Sequence, residues 1–185
     1  MAAVPPISDS PLKTLAQRIL PSGPSVELDA IDTKLLVELS RDARIPQSKL
    51  ADILGMSSPA VADRIARLKQ RGVIRGFSVD IDWERLGNST VAYLSIVAAI
   101  GHDQSVVISH LLEIRGVEEI SVVTGSNDMV VKIRAHGFDD LRQILANEVW
   151  NIAGVQQTVT SIALVHAEPE NVTERMLRAI SKHDV

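Results

Sequence analysis

Near the start of the chain, apolar residues recur at the spacing of α-helices and are interrupted by three residues that end helices. Pro46, Gly55 and Gly72 divide this stretch into three runs. The second run predicts a short helix over 47–54, and the third predicts a longer helix over about 58–71. Helix, short helix, glycine-containing turn and longer helix is the helix-turn-helix arrangement. This part of the chain is therefore predicted to fold into a small three-helix module.

The third predicted helix separates its residues into two faces. Ser58 is placed to cap it, with Pro59 at its first position, where a missing N–H costs nothing. The face expected to pack on the other helices carries Val61, Ile65 and Leu68. The opposite face carries Ala60, Asp63, Arg64, Arg67 and Arg71. After Gly72, the run 73–79 predicts a short strand, as a wing or a connector beside the module.

The formal net charge of −4 is unevenly distributed along the chain. Residues 44–75 carry seven basic groups and two acids, whereas residues 77–168 carry five basic groups and twelve acids. This asymmetry indicates a basic module beside an acidic one. A basic helix-turn-helix is typical of DNA binding, although a solvated basic face on an ordinary helical hairpin has the same composition.

In a helix-turn-helix protein, the N-terminal half of the second helix reaches base edges and nearby basic groups bind phosphates. The candidates for the major groove are Ser57, Ser58, Ala60, Asp63 and Arg64. The candidates for backbone or flanking contacts are Arg67, Lys69 and Arg71. Arg64 is suited to hold a guanine in a bidentate manner.

In residues 89–166 the spacing of apolar residues alternates between that of strands and that of helices, which predicts the order βαββαβ. Strands are expected over 91–100, 118–124, 128–135 and 155–165, and helices over 105–115 and 138–152. This order is the ferredoxin-like double split unit, in which both helices lie on one face of the sheet. The predicted fold class is α+β: an N-terminal (winged) helix-turn-helix domain followed by a C-terminal ferredoxin-like domain.

The first predicted strand is apolar on both faces. Tyr93 and Val97 lie on one side, and Leu94 and Ile96 lie on the other. Because the helices of the domain cover one face, the other must meet something else, and an identical copy is the simplest candidate. The strand therefore predicts a homodimer.

The predicted domain organisation has five parts: an N-terminal arm (1–27), the helix-turn-helix domain (28–76), a linker (77–88), the ferredoxin-like effector-binding and oligomerisation domain (89–168) and a helical C-terminal tail (169–185). The arm contains five prolines. Both a flexible extension and a docked arm with a short helix agree with this composition.

A tight loop is predicted between two strands at Gly125, Ser126, Asn127 and Asp128. Asp128 could pair with the ammonium of an amino acid, and backbone N–H groups exposed by the glycine could meet its carboxylate. A plain hairpin turn has the same composition, since these four residue types dominate turns.

Several classes of function lack support in the sequence. There is no cysteine, the five histidines show no metal-ligand spacing, and the glycines form no phosphate-binding motif. We therefore expect no enzyme, no metal and no cofactor. No apolar stretch is long enough for a membrane helix, and the N-terminus does not resemble a signal peptide. We therefore expect a cytoplasmic protein without a membrane partner.

Three stretches then occur in a fixed order: LDAIDTKLLVELSRDAR, KLADILGMSSPAVADRIARLKQRGVIRGFSVDID and VVTGSNDMVVKI. Together they resemble the Lrp/AsnC family, the leucine-responsive or feast/famine regulators of prokaryotes, over about residues 28–167. The resemblance implies a helix-turn-helix joined to a βαββαβ domain, dimers formed through the sheets, octamers of these dimers, and amino acids bound where dimers meet.

Carried over by position, the resemblance assigns residues 57–67 to the recognition helix and its entry. It assigns Gly125 and Asp128 to the family's glycine-x-x-aspartate loop near the effector pocket, where many members have an acidic and an aromatic residue in place of Ser126 and Asn127. Thr158 and Thr160 are candidates for the pocket wall.

The sequence thus predicts a transcriptional regulator that binds specific sequences of double-stranded DNA and responds to an amino acid bound between dimers. Two alternatives stay open. One is a nucleoid-type architectural protein that wraps DNA without an effector. The other is an amino-acid sensor that regulates an enzyme, with the helical domain docking on protein, although the basic run 44–75 argues against it.

Overall fold

A computed structural model describes residues 25–167 and 169–180 of the chain. The described residues form two compact units. Among the described residues, the helical unit contains 25–80, 167 and 169–180, and the sheet unit contains 81–166. The predicted arm lies almost entirely outside the described residues, as do the last five residues of the predicted tail.

The elements in chain order are α1 (Ala30–Arg41), α2 (Gln47–Leu54), α3 (Ser58–Gln70), β1 (Thr90–Ala98), α4 (Gln104–Glu113), β2 (Val117–Val122), β3 (Met129–Ala135), α5 (Phe138–Asn147), a 3₁₀ turn (Val149–Asn151), β4 (Val155–Ile162) and α6 (Val172–Ile180).

Local capping sets where the first three helices begin and end. Asp29 caps α1 and accepts a hydrogen bond from the Asp32 N–H at 2.6 Å. Gly55 ends α2 with φ +65°, a left-handed conformation that favours glycine. Ser57 caps α3 and accepts from the Ala60 N–H at 3.4 Å. Ser58 is thus the first residue of α3 and not its cap, which corrects the prediction by one position.

The core of the helical unit forms where the three helices meet. The buried residues are Leu35, Leu50, Ala51, Val61 and Leu68, and Ile65 packs against them. The inward face predicted for α3 is therefore confirmed. The predicted strand over 73–79 is wrong: these residues form no strand, and the described part of the helical unit contains no strand with which they could pair.

The helix α6 completes the helical unit by packing against α1. Glu174 binds Arg41 through both carboxylate oxygens, at 2.8 Å and 2.6 Å. It also binds Arg178 one turn further along α6. These hydrogen bonds, that of Arg41 above all, lower the pKa of Glu174 to about 2. The chain therefore returns from the sheet unit to the helical unit, a connection that periodicity alone did not reveal.

The sheet unit has the predicted ferredoxin-like order, with four antiparallel strands arranged β2-β3-β1-β4. Its core lies between the two central strands and the helices α4 and α5, and includes Leu94, Ile96, Leu111, Ile133 and Leu141. The second helix is shorter than predicted: α5 ends at Asn147, and the 3₁₀ turn takes its place.

The face of the sheet away from the helices is partly apolar and partly charged. Tyr93 on β1 and Val159 on β4 are exposed. On the neighbouring strands, Glu118 binds Lys132 at 2.9 Å and also pairs with Arg134. Burial tends to raise the pKa of Glu118, but these two cations outweigh it and lower the pKa.

Candidate functional site

The N-terminal end of α3 presents small polar groups to solvent. Ser57 and Asp63 are exposed, and Ser58 and Ala60 are half-buried. Small side chains allow a helix to approach a groove closely, and the free N–H groups of a first turn favour phosphate. This end of α3 therefore has the shape and polarity expected of a DNA-reading helix.

Arg64 departs from its predicted placement on the outward face of α3. Its Nη1 lies 2.6 Å from Asp29 Oδ2 and 2.6 Å from Asp32 Oδ1. The hydrogen bond with Asp29, followed by that with Asp32, raises the pKa of Arg64. Arg64 is thus bound to the first turn of α1, and helical periodicity could not reveal this because the carboxylates lie 35 and 32 residues away.

Three further basic side chains follow, two on α3 and one at its C-cap, and all three are exposed. Arg67 Nη2 lies 3.5 Å from Asp32 Oδ1, and Arg71 donates to the Glu27 carbonyl at 3.1 Å. Lys69 Nζ lies 4.9 Å from the centre of the Phe77 ring, within the range of a cation–π contact. Each side chain has one partner in the helical unit and keeps an exposed surface that can reach phosphate.

The loop between β2 and β3 has the geometry of a tight turn. Gly125 has φ +125°, which side chains other than glycine rarely adopt, and a Cβ built on it would meet no atom within 4 Å. Ser126 is exposed and Asn127 is half-buried, and the Asn127 amide donates to Ser126 Oγ at 3.4 Å. The loop backbone at Gly125 therefore borders open space.

The carboxylate of Asp128 closes this loop onto its neighbours. Oδ2 accepts from the Ala98 N–H at 2.8 Å, and Oδ1 accepts from Gln104 Nε2 at 3.3 Å. The Asp128 N–H in turn donates to the Ile96 carbonyl. The loop is thus fixed to the C-terminal end of β1 and to the first turn of α4.

Gln104 is a site residue that sequence reasoning missed. Its Oε1 is buried and has no hydrogen-bond partner among the described residues, although its Nε2 is bound to Asp128. A buried amide oxygen without a partner is costly and marks a place for a donor. No local pattern signalled this residue, because its partner is 24 positions away.

Thr158 and Thr160 lie on β4 opposite Ile96 and Leu94 of β1. Ile96 also accepts from Asp128, so Thr158 and the loop lie at the same end of the sheet on opposite sides of β1. The Trp150 indole N–H donates to Thr158 Oγ1 at 3.1 Å. The Thr158 hydroxyl oxygen therefore already accepts a hydrogen bond within the sheet unit, and Thr160 lies two residues further from the loop.

The described residues contain neither a metal-binding cluster nor a membrane-spanning helix. No group of three or more metal-ligating side chains is positioned to hold a metal ion in this part of the chain. None of its helices has the length and apolar character needed to cross a membrane.

A helix-turn-helix unit with an exposed basic helix, linked to a ferredoxin-like sheet unit, defines a class: two-domain DNA-binding regulators. Comparison with known proteins agrees. Residues 28–69 match the AsnC-type helix-turn-helix domain, and residues 95–175 match the Lrp/AsnC ligand binding domain.

Individual relatives match most of the chain. The HTH-type transcriptional regulator FL11 of Pyrococcus furiosus is 36% identical over 142 residues, which cover 76% of this chain and 93% of FL11. Escherichia coli AsnC has a TM-score of 0.75 at 25% identity, covering 80% of this chain and 99% of AsnC. A feast or famine regulatory protein of Mycobacterium tuberculosis, solved with L-methionine, has a TM-score of 0.72 at 30% identity, covering 78% and 97%. The chain belongs to the Lrp/AsnC family of transcriptional regulators.

Proposed function

We propose that this regulator binds specific DNA sequences through α3 and that an amino acid bound at the Gly125–Asp128 loop changes its affinity for DNA. The observation that carries the DNA-binding half is the exposed basic series at the C-terminal end of α3, on the same helix as a polar first turn. We propose no catalytic role and a cytoplasmic location, as expected for a protein whose ligand is DNA.

For DNA recognition, the first turn of α3 enters the major groove. Its Ser57 cap, Ser58 and Ala60 lie nearest to base edges, followed by Asp63 in the second turn. Arg67, Lys69 and Arg71 then meet the phosphate backbone. Each phosphate contact releases counterions, so binding weakens steeply as salt concentration rises. These contacts supply affinity, and the first turn supplies sequence preference.

For effector binding, the ammonium of an amino acid donates to the Asp128 carboxylate and to Gln104 Oε1, the buried oxygen that otherwise lacks a partner. Loop N–H groups near Gly125 meet the amino acid's carboxylate. The solved M. tuberculosis relative with L-methionine supports an amino acid as the class of ligand. The side chain of Thr160, which lies further from the loop, takes part in the pocket wall only if the ligand is long.

Assembly gives this arrangement its regulatory effect. The exposed Tyr93 and Val159 favour pairing of two sheets into a homodimer, and further association of dimers into an octamer brings several recognition helices together. Linking modules raises the effective affinity for paired half-sites. An effector bound between dimers changes the spacing of these helices, with an expected coupling of about 1–3 kcal/mol.

Selection from random duplexes tests the first half of this proposal. The full chain is used to enrich bound duplexes, and the enriched pool is sequenced. Enrichment of a two-fold symmetric motif is expected. A pool that stays random at low salt would instead identify the architectural protein that wraps DNA without sequence preference.

The second half is tested by sedimentation and DNA binding with and without a pool of amino acids. We expect a change in assembly or in affinity for the enriched motif. No change in either at saturating amino acid would contradict effector control and leave sequence-specific binding intact.

A further inference from the structure

The two arginines at the centre of α3 have different surroundings. The Arg64 side chain is 18% exposed, and its Nη1 touches two carboxylates at 2.6 Å. The Arg67 side chain is 50% exposed, and its nearest carboxylate oxygen is 3.5 Å away. One guanidinium is therefore enclosed in an ion-pair cluster, and the other is held loosely at its edge.

The carboxylates that bind Arg64 are themselves fixed by α1. Asp29 uses Oδ1 to cap this helix and Oδ2 to bind Arg64. Asp32 is 2% exposed and lies in the first helical turn. The Arg64 guanidinium thus connects the middle of α3 to the beginning of α1 at a defined point.

Release of Arg64 to contact DNA would leave the carboxylate of Asp32 buried without its closest cation. Unpaired buried charges are strongly unfavourable. The two carboxylates would also face a polyanion without the cation that neutralises them. Arg67 can leave its longer contact at much smaller cost, because Asp32 stays paired with Arg64.

We infer that Asp29 and Asp32 assign different tasks to these arginines: Arg64 is a positioning residue that sets the orientation of α3 on α1, and Arg67 contacts DNA. The inference rests on the proposed DNA-binding function. Arg64 is then not the residue that reads a guanine, in contrast to the expectation from sequence. Specificity for DNA depends instead on two carboxylates that never touch DNA.

The test compares Arg64→Gln, the double variant Asp29→Asn with Asp32→Asn, and the triple variant combining them. Asparagine keeps the capping oxygen at position 29, so α1 remains capped. The matched control is Arg67→Gln, one turn along the same helix. For each full-length variant, anisotropy gives the ratio of affinities for the selected motif and a scrambled duplex over a salt series, and thermal melting establishes that the protein is folded.

We expect Arg64→Gln and the double carboxylate variant each to reduce the specificity ratio by about tenfold, the range of one lost base-pair contact. The triple variant should be no worse than either. Arg64→Gln should leave the salt slope unchanged. Arg67→Gln should weaken binding to both duplexes and reduce the slope by about one.

The inference is overturned if the double carboxylate variant keeps or improves the ratio while Arg64→Gln lowers both the ratio and the salt slope, because Arg64 would then contact DNA directly. A wild-type ratio near one would overturn the proposed function and this inference together. If Arg64→Gln does not fold, Arg64→Lys takes its place. Lysine keeps the charge without the guanidinium's planar fork, so part of the specificity should be retained.

Discussion

Replacement of Asp128 separates its structural task from its proposed role in effector binding. In Asp128→Ala, the Ala98 N–H loses its acceptor at 2.8 Å, and Gln104 Nε2 loses a weaker one at 3.3 Å. A hydrogen bond to a charged group contributes about 1.5–3 kcal/mol, and the longer contact lies outside the usual N–H···O range. The alanine variant should therefore lower the free energy of unfolding by about 2 kcal/mol.

In Asp128→Asn, an oxygen remains for the Ala98 N–H, but the charge is lost and an amide NH₂ replaces the oxygen that accepted from Gln104 Nε2. The expected cost in stability is below about 1 kcal/mol. The ammonium of an amino acid, in contrast, loses its ionic partner. Binding of the effector should weaken by roughly ten- to a hundredfold, because the loss of a hydrogen bond to a charged group corresponds to about that change in dissociation constant.

Denaturant unfolding followed by circular dichroism measures the stability of each variant, and isothermal calorimetry measures amino-acid binding. Thr124→Ala is the control, since Thr124 is exposed, directly precedes the loop and takes no part in the proposed contacts with the amino acid. The reasoning is refuted if Asp128→Asn binds the amino acid as tightly as the wild type. It is equally refuted if Asp128→Ala is as stable as the control.

Three further predictions concern the framework that holds the sites. Leu68→Ala empties a fully buried position and should cost about 2–5 kcal/mol in urea unfolding; a cost below about 1 kcal/mol would contradict the core described here. Hydrogen bonds from Arg41 and Arg178 lower the pKa of Glu174 to about 2. This contact therefore stabilises the helical unit above the ordinary pKa of 4.5 and is lost as the pH falls toward 2. Glu174→Gln should flatten the loss of melting temperature over that window, and an unchanged acid profile would exclude the contact in solution. Gly116 has φ +84°, and a Cβ added there would clash with the Arg134 carbonyl oxygen. Gly116→Ala should thus cost more than about 1 kcal/mol, and melting at the wild-type temperature would contradict this close approach.

Local pattern was sufficient for most of the fold. Val61, Ile65 and Leu68 repeat at helical spacing, so their burial follows from α3 alone. The βαββαβ order likewise follows from the change of period along the chain. The strand predicted over 73–79 was wrong because local pattern is not enough for a strand. β-branched residues favour an extended backbone, but a strand also needs a partner strand, and the local sequence does not show whether one is present.

The candidate sites were less accessible to sequence reasoning, because their key contacts join distant positions. Arg64 looked like a free basic residue since neither Asp29 nor Asp32 is near it in the chain. Gln104 carried no signal until its bond to Asp128 was seen. Periodicity gives the face on which a side chain begins, whereas the position of a long charged head group depends on the partners that tertiary structure brings to it.

The central claim is that this protein distinguishes one DNA sequence from another. The most direct measurement is the ratio of its dissociation constants for the motif enriched from random duplexes and for a scrambled duplex of the same composition, at about 0.15 M salt. A ratio of about 10³ or more is predicted for a sequence-specific regulator. Equal affinity for the two duplexes would contradict the account and favour a protein that binds DNA for its architecture alone.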